Sequence, residues 1–481
     1  MRKSMGSFQH IVEQERGLKK VLSAGQMGMI AIGGAIGTGL FLGSGLAIGF
    51  AGPSVILSYA VGALIALILM GCLAEMTIAH PTSGSFGAYA EHYVSPWAGF
   101  MVRYSYWACN VLAIGAEVTA VGIYMKFWYP DIPSWFWISS FSLALVLINA
   151  LSVNIFGFVE YWFSFIKIVA IVAFILIGSY VVFGPTTKVG DVIPGFNHYT
   201  DHGGFFPQGL WGMWIAVIVS IFSYLGIEMI AVAAGEAHEP EKAIKIAVWS
   251  TFIRLALFYL LTMGLMLAIV PWTQAGHEES PFVKVMTAVN ISGASGVVNF
   301  VILIAAISAM NSQLYITSRM MFSLSCAGYA PKQLSRLNKR GIPVLGLLLS
   351  TGGIALATVL SVVAPDKSFT LMMAVSMFGA LFTWFMIFVT HLFFRKKWRN
   401  ENSQALPFRM PGFPYLTCLG GTLMLAIMVT TAFTKEFQMT LFFGIPALIF
   451  LSVVYFVWYE KWHSPRSIIN RQADSNLNSN T

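Results

Sequence analysis

The sequence predicts an all-α integral membrane protein of twelve transmembrane helices, and three observations carry that reading. Of its 481 residues 57% are apolar and only 10% charged, against roughly a quarter charged in an ordinary soluble chain. Mean hydropathy is +0.74, and apolar runs reach about 20 residues, the length that crosses a hydrocarbon core of roughly 30 Å. The runs are continuous rather than alternating, which favours helices over a barrel. A soluble enzyme, a secreted disulfide scaffold and a disordered protein are thereby excluded.

Apolar windows between Gly, Pro and charged breaks place the spans near 26–50, 53–78, 97–128, 133–152, 157–183, 210–235, 249–272, 296–326, 342–363, 368–394, 413–434 and 439–459. The third and eighth are long enough to require tilt or extension beyond the lipid. Lys and Arg orient them. With the N-terminus cytoplasmic, the inside segments hold 19 bases and the outside segments 5, which obeys the positive-inside rule and puts both termini inside. The net charge of +8 is therefore a topology signal; bases scattered over short loops do not make a nucleic-acid surface.

Residues 1–25 are polar and charged, and the first apolar run is too long for the core of a signal peptide, so span 1 is expected to remain in the mature protein. Cys72, Cys109, Cys326 and Cys418 fall in spans without CxxC pairing and read as small buried hydrophobes. The polar tail, 460–481, reads as a cytoplasmic end that is disordered from 466.

Span 1 contains Gly33-Gly34-Ala35-Ile36-Gly37-Thr38-Gly39, four glycines within seven residues at mid-membrane. Each costs about 1 kcal/mol relative to Ala in a helix interior, so the cluster signals either close packing or an unwound segment. An unwound segment would leave half-helices near 26–34 and 40–50. Amides of Thr38 and Gly39 would then attract a carboxylate, and carbonyls of Ala35 and Ile36 an ammonium group. Span 6 has its own interruption, Phe222-Ser223-Tyr224-Leu225-Gly226-Ile227-Glu228. Breaks in spans 1 and 6 fit two five-helix repeats, 26–183 and 210–394, followed by two extra helices at 413–459. Five is odd, so the second repeat is inverted, and paired breaks of this kind mark a transporter's binding site.

Charges within the spans are the other exception to the apolar rule, each costing at least about 2.5 to 3.5 kcal/mol at the bilayer centre. Arg103, Arg254 and Arg319 lie toward span ends, where they can snorkel or pair with loop acids. Glu117 sits at the middle of span 3 among small residues, and Glu228 lies two residues past Gly226. Glu160, Ser164 and Lys167 share one face of span 5, which is expected to point into the protein. A lysine at that depth can hold a static ion pair or exchange a proton during transport. For Glu117 and Glu228 the open roles are proton carrier, counter-charge to a substrate amine, or hydrogen-bond donor.

With these motifs in hand, the chain resembles the amino acid transporter family of the amino acid-polyamine-organocation superfamily from about Gly17 to Lys397. The resemblance rests on Gly33 to Phe41, on Glu75-Met76 with Pro81 to Phe86, on Phe222 to Glu228 with Ala233 to Glu236 and Pro240 to Ile244, and on Asn311-Ser312, Tyr315, Ser318-Arg319-Met320 and Ala330-Pro331. It implies the five-plus-five inverted-repeat fold with discontinuous helices 1 and 6, alternating access, and import of an α-amino acid. By the same resemblance the Thr38 and Gly39 amides hold the substrate carboxylate. Carbonyls of Ala35, Ile36, Phe222, Ser223 and Leu225, around Gly37, hold its ammonium, and Tyr224 adjoins the sixth-helix gate. Lys167 matches the fifth-helix lysine that takes the place of a sodium ion in proton-coupled relatives. One departure stands out: many relatives read Gly-Trp where this chain has Arg103-Tyr104.

The expected function is thus proton symport of an amino acid across the plasma membrane. An amino acid exchanger without net proton coupling is the alternative within transport, and sodium coupling ranks below both, because an ammonium and a sodium ion cannot share one small site. A polytopic membrane enzyme is the alternative class; it would need a nucleophile with a base, or clustered metal ligands. The nine histidines are dispersed, and His198 with His202 sits in a Gly-rich external loop, so neither metal nor cofactor is expected. Selectivity should come from Glu117, Tyr224, Glu228 and residues near Ser376, with a neutral substrate favoured because Lys167 already offers a positive partner.

Overall fold

The computed structural model describes residues 8, 11, 23–33, 36–184, 193–237, 239–274, 280–290, 293–401 and 406–462. The tail from 463 and most of the N-terminal segment lie outside them, as do Gly34 and Ala35. Among the described residues, eleven helices are long and apolar enough to cross a membrane. One of these, Gly43–Ala79, has 37 residues. At 1.5 Å per residue it would be about 55 Å long, nearly twice a hydrocarbon core. It turns at Gly52, where φ is 60°, and at Pro53 within the 3₁₀ turn Gly52–Ser54. Its two parts are the second half of span 1 and all of span 2, so the crossings number twelve.

Span 1 comprises Ala24–Gly33, Thr38–Phe41 and Gly43–Ala51, and span 2 is Val55–Ala79. A short helix, Ser85–Tyr93, leads to span 3 (Pro96–Met125), span 4 (Ser134–Leu151) and span 5 (Val153–Phe183). Span 6 is split into Gly209–Tyr224 and Met229–Ala233, and span 7, Pro240–Ile269, passes through a π-helical segment at Arg254–Leu261. Span 8 is Ala294–Cys326, span 9 Val344–Val363, span 10 Ser368–Glu401, span 11 Tyr415–Thr430 and span 12 Gln438–Trp462.

Packing follows the predicted repeat. Span 3 lies against span 10 and span 8 against span 5; span 6 lies against span 2 and span 1 against span 7; span 3 also meets span 9 as span 8 meets span 4. Each pair maps onto its partner when span n is exchanged for span n+5, while spans 1 with 6 and 3 with 8 pair across the centre. Burial agrees with this arrangement: span 6 is 89% buried over its most apolar stretch, span 12 only 17%. The exposed Leu, Val, Ile and Phe side chains of spans 4, 5, 9 and 12 form the lipid-facing surface of a bundle whose polar groups point inward.

The cysteines correct one expectation. Cys72 and Cys109 are buried, but Cys326 is half-buried and Cys418 is exposed, because span 11 is peripheral and turns that side outward. A periodic apolar run does not reveal which face meets lipid. The three arginines near span ends divide. Arg103 is fully buried and reaches Glu91 of the Ser85–Tyr93 helix at 2.5 Å, with its Nε donating to Ser323 Oγ at 3.0 Å. The unusual Arg103-Tyr104 pair therefore ties the Ser85–Tyr93 helix to spans 3 and 8, with Tyr104 donating to the Tyr329 carbonyl. The Arg254 side chain lies outside the described residues.

Near the ends of spans 2 and 10, Phe8 stacks on His80 at 4.0 Å and meets His92 edge-on, and Lys397 Nζ donates to the His92 carbonyl. Burial pushes both imidazoles down to about 4, helped at His80 by His92 and at His92 by Lys397. Between pH of about 6.5 and 4 the unfolded chain therefore binds more protons than the folded one, so stability is full above that window and declines as pH falls through it. Melting temperature in detergent should fall between pH 7 and pH 5, and a His80→Gln/His92→Gln double variant should show a flatter profile; equal slopes would refute the assignment.

Candidate substrate site

The two breaks face each other at the centre of the bundle. The first described helix of span 1 is Ala24–Gly33; Ile36 is non-helical, Gly37 is extended, and Thr38 opens the next helix. Span 6 ends at Tyr224, and Gly226 takes φ of 100°, a conformation that glycine adopts without steric cost. The breaks touch through backbone. A Cβ on Gly39 would lie 2.6 Å from Ser223 Cα and 3.2 Å from the Phe222 carbonyl oxygen. Ser223 Oγ donates to the Gly39 carbonyl at 2.7 Å and stitches the two together.

The groups released by the breaks are held by protein. The Thr38 amide donates to Glu117 Oε2 at 3.3 Å, and the Glu117 carboxylate reaches so close to Gly37 that a Cβ there would lie 2.8 Å from Oε1. Glu117 therefore occupies the place, at a helix N-terminus, where an external carboxylate would be attracted. Lys167 Nζ donates to the Ile36 carbonyl at 3.2 Å, the place expected for an ammonium group. Sequence reading put both residues deep in the membrane but could not join them to span 1, from which they lie 79 and 131 positions away in the chain. Ala35 lies outside the described residues.

Lys167 belongs to a larger buried network. Its Nζ also donates to Ser308 Oγ at 2.7 Å and lies 3.9 Å from Glu160 Oε1. Ser308 donates to Glu160 Oε1 at 2.5 Å, Asn311 donates to Oε2 at 3.1 Å, and Asn149 donates to Asn311 Oδ1 at 2.8 Å. Glu160 and Lys167 do share an inward face, and both are fully buried.

Glu228 turns back on its own break. Its carboxylate accepts from the Gly226 amide, from Tyr106 OH at 2.9 Å and from Trp384 Nε1 at 3.3 Å, linking span 6 to spans 3 and 10. The Gly226 amide and Trp384 Nε1 can only donate, so in those two contacts Glu228 is the acceptor. The Ser223 carbonyl accepts from Tyr259 OH at 2.8 Å, and Tyr224 OH donates to the Tyr59 carbonyl at 2.9 Å. Tyr59, Tyr259, Tyr106, Trp384, Ser308 and Asn149 escaped sequence reading. Lone polar residues in apolar spans are common, and most, like Ser376 bonded to the Met373 carbonyl, merely satisfy their own helix.

Beyond the second break, Glu236 Oε1 accepts from Arg319 Nε and Tyr315 OH, both at 2.8 Å, with the guanidinium 3.8 Å from the Tyr315 ring centroid and Phe156 stacked on that ring at 4.2 Å. This pair ties the end of span 6 to span 8. Arg319→Ala would strand a buried carboxylate and should destabilise the fold by about 3–5 kcal/mol, read as an earlier unfolding midpoint in denaturant. A variant within 1 kcal/mol of the parent (about a fivefold change in the folding equilibrium) would show the pair to be dispensable.

At the first break a carboxylate, Glu117, and an ammonium, Lys167, sit on the freed amide and carbonyl, the two charges that a zwitterion also carries. A comparison of the sequence with family models matches amino acid permease over residues 26–467. The chain belongs to the amino acid permease family. It is 37% identical over 450 residues to the uncharacterized amino acid permease YtnA of Bacillus subtilis, covering 93% of this chain and 97% of that one. It is 38% identical to the gamma-aminobutyric acid permease of the same organism over 426 residues, 89% and 90% of the two chains. Identity to the aromatic amino acid transport protein AroP of Salmonella typhimurium is 36% over 453 residues, 94% and 97% of the two. The permease is thus a multi-pass membrane transporter of amino acids and not an enzyme.

Proposed function

We propose that the permease imports a neutral α-amino acid across the plasma membrane by alternating access, driven by proton symport, with both termini cytoplasmic. The observation that carries the reading is the Lys167 ammonium on the Ile36 carbonyl of the broken first helix. The ammonium there holds a carbonyl freed by the break, and a lysine can supply or withdraw that charge by exchanging a proton. Substrate binds in this reading with its carboxylate at the Thr38 and Gly39 amides and its ammonium among the carbonyls of Ala35, Ile36, Phe222, Ser223 and Leu225. Glu117 yields the amides on substrate entry. A neutral side chain is favoured because Lys167 already offers a positive charge at the first break, while Glu228 is engaged by protein donors. The division into repeats at 26–183 and 210–394 supports rocking of one unit against the other about the crossing of spans 1 and 6.

The test is radiolabelled uptake into proteoliposomes under an imposed pH gradient, competed by each of the twenty amino acids. An acidic exterior should accelerate uptake, and neutral amino acids should compete best. Counterflow that persists without a gradient while net uptake fails would favour exchange instead. Dominant competition by lysine and arginine would overturn the neutral assignment.

A further inference from the structure

We propose that Lys167, Ser308 and Glu160 form a proton relay, in which Glu160 takes the proton that Lys167 gives up and passes it toward the face where span 5 begins. The inference rests on the proton-symport reading above and assigns the route that reading lacks. The hydrogen bonds are already in line: Nζ to Ser308 Oγ at 2.7 Å, then Ser308 Oγ to Glu160 Oε1 at 2.5 Å. A simple ion pair would bring the ammonium against the carboxylate at about 2.7–2.9 Å. Here the two stay 3.9 Å apart with the hydroxyl between them.

In the transfer, an Nζ–H bond breaks as the proton joins Ser308 Oγ, while the original Ser308 O–H bond breaks and its proton joins Glu160 Oε1. An ammonium and a carboxylate become a neutral amine and a neutral acid, and the serine is regenerated. Charge vanishes pairwise inside the bundle, so neither ion is left buried without its partner. The amine then holds the Ile36 carbonyl less strongly, which couples the proton to the broken helix. Seven residues, about 10 Å of helix, separate Glu160 from Lys167 in the direction of the N-terminal end of span 5.

One further titratable group lies within electrostatic reach of Lys167: Glu117 of span 3, whose carboxylate accepts from the Thr38 amide. Span 8 contributes Tyr315 and Arg319, both engaged with Glu236, and span 4 contributes the neutral Asn149. Span 1 presents the Ile36 carbonyl, and in span 7 Tyr259 is turned to the Ser223 carbonyl. Among the described residues, Asn311 is the other side chain bonded to Glu160, and as a neutral donor it can steady the carboxylate without exchanging a proton.

The full-length protein in proteoliposomes with a trapped pH-sensitive dye tests the relay, using a labelled mixture of the twenty L-amino acids as probe. The wild type should acidify the lumen as label enters. Ser308→Ala and Glu160→Gln should each cut proton entry per label by at least about tenfold, while labelled counterflow, which needs no net proton, stays within about threefold. Ser308→Thr, which restores the hydroxyl, should recover coupling and separates loss of the relay from loss of the fold. A wild type that carries label without acidification overturns the symport reading itself. A coupled wild type beside an equally coupled Ser308→Ala or Glu160→Gln overturns the relay alone, as does loss of counterflow in both variants at unchanged melting temperature.

Discussion

Gly39→Val abolishes amino acid binding. The added Cβ would meet Ser223 Cα at 2.6 Å, Ser223 N at 3.1 Å and the Phe222 carbonyl oxygen at 3.2 Å, all of them backbone atoms that cannot rotate away. Spans 1 and 6 must separate by roughly 1 Å to reach ordinary carbon contact, and a displacement of that size at a reacting or binding centre costs on the order of a hundredfold. It also breaks the bond from Ser223 Oγ to the Gly39 carbonyl, so the amides and carbonyls proposed to read the two ends of the substrate lose their register. Equilibrium binding to detergent-purified protein measures the loss. Gly352→Ala serves as the control, because a Cβ there meets nothing within 4 Å. Wild-type affinity in Gly39→Val would remove the substrate from the crossing of the two breaks.

Lys167→Ala eliminates gradient-driven accumulation and flattens its pH profile. With the ammonium gone, the Ile36 carbonyl and Ser308 each lose a donor, and the first break loses the positive charge that proton exchange would switch during a transport cycle. Glu160 keeps Ser308 and Asn311 as donors, so the fold should suffer less than from Arg319→Ala, where among the described residues Glu236 retains only Tyr315. Accumulation should drop at least about tenfold relative to wild type at an acidic exterior, the effect of removing a positioned proton carrier. Label uptake that still responds to the gradient in Lys167→Ala would place coupling elsewhere, with Glu117 as the next group to replace.

Much of the bundle could be read along the chain. Spans, breaks and intramembrane charges all announce themselves locally, since a glycine cluster or a carboxylate is conspicuous in a 20-residue apolar run. Glu160 shows the limit. Its inward face was expected, but nothing along the chain named Ser308 and Asn311 of span 8 as the donors to its carboxylate. Cys418 shows an outright error, an apolar run whose outer face meets lipid. Tyr106 and Trp384 could not be singled out at all, since their role depends on Glu228 folding back to its own break.

The sequence by itself determined that the chain lies in a membrane, where its helices break, and which charges remain inside, because lipid imposes a one-dimensional rule of apolar length and every exception is visible residue by residue. Only the tertiary structure decided partners: Glu117 with the Thr38 amide, Lys167 with the Ile36 carbonyl and Ser308, Tyr259 with the Ser223 carbonyl. Hydrogen bonds act over about 3 Å between groups that stand tens to more than a hundred residues apart in the chain, and no local pattern encodes which distant donor a freed backbone group will meet.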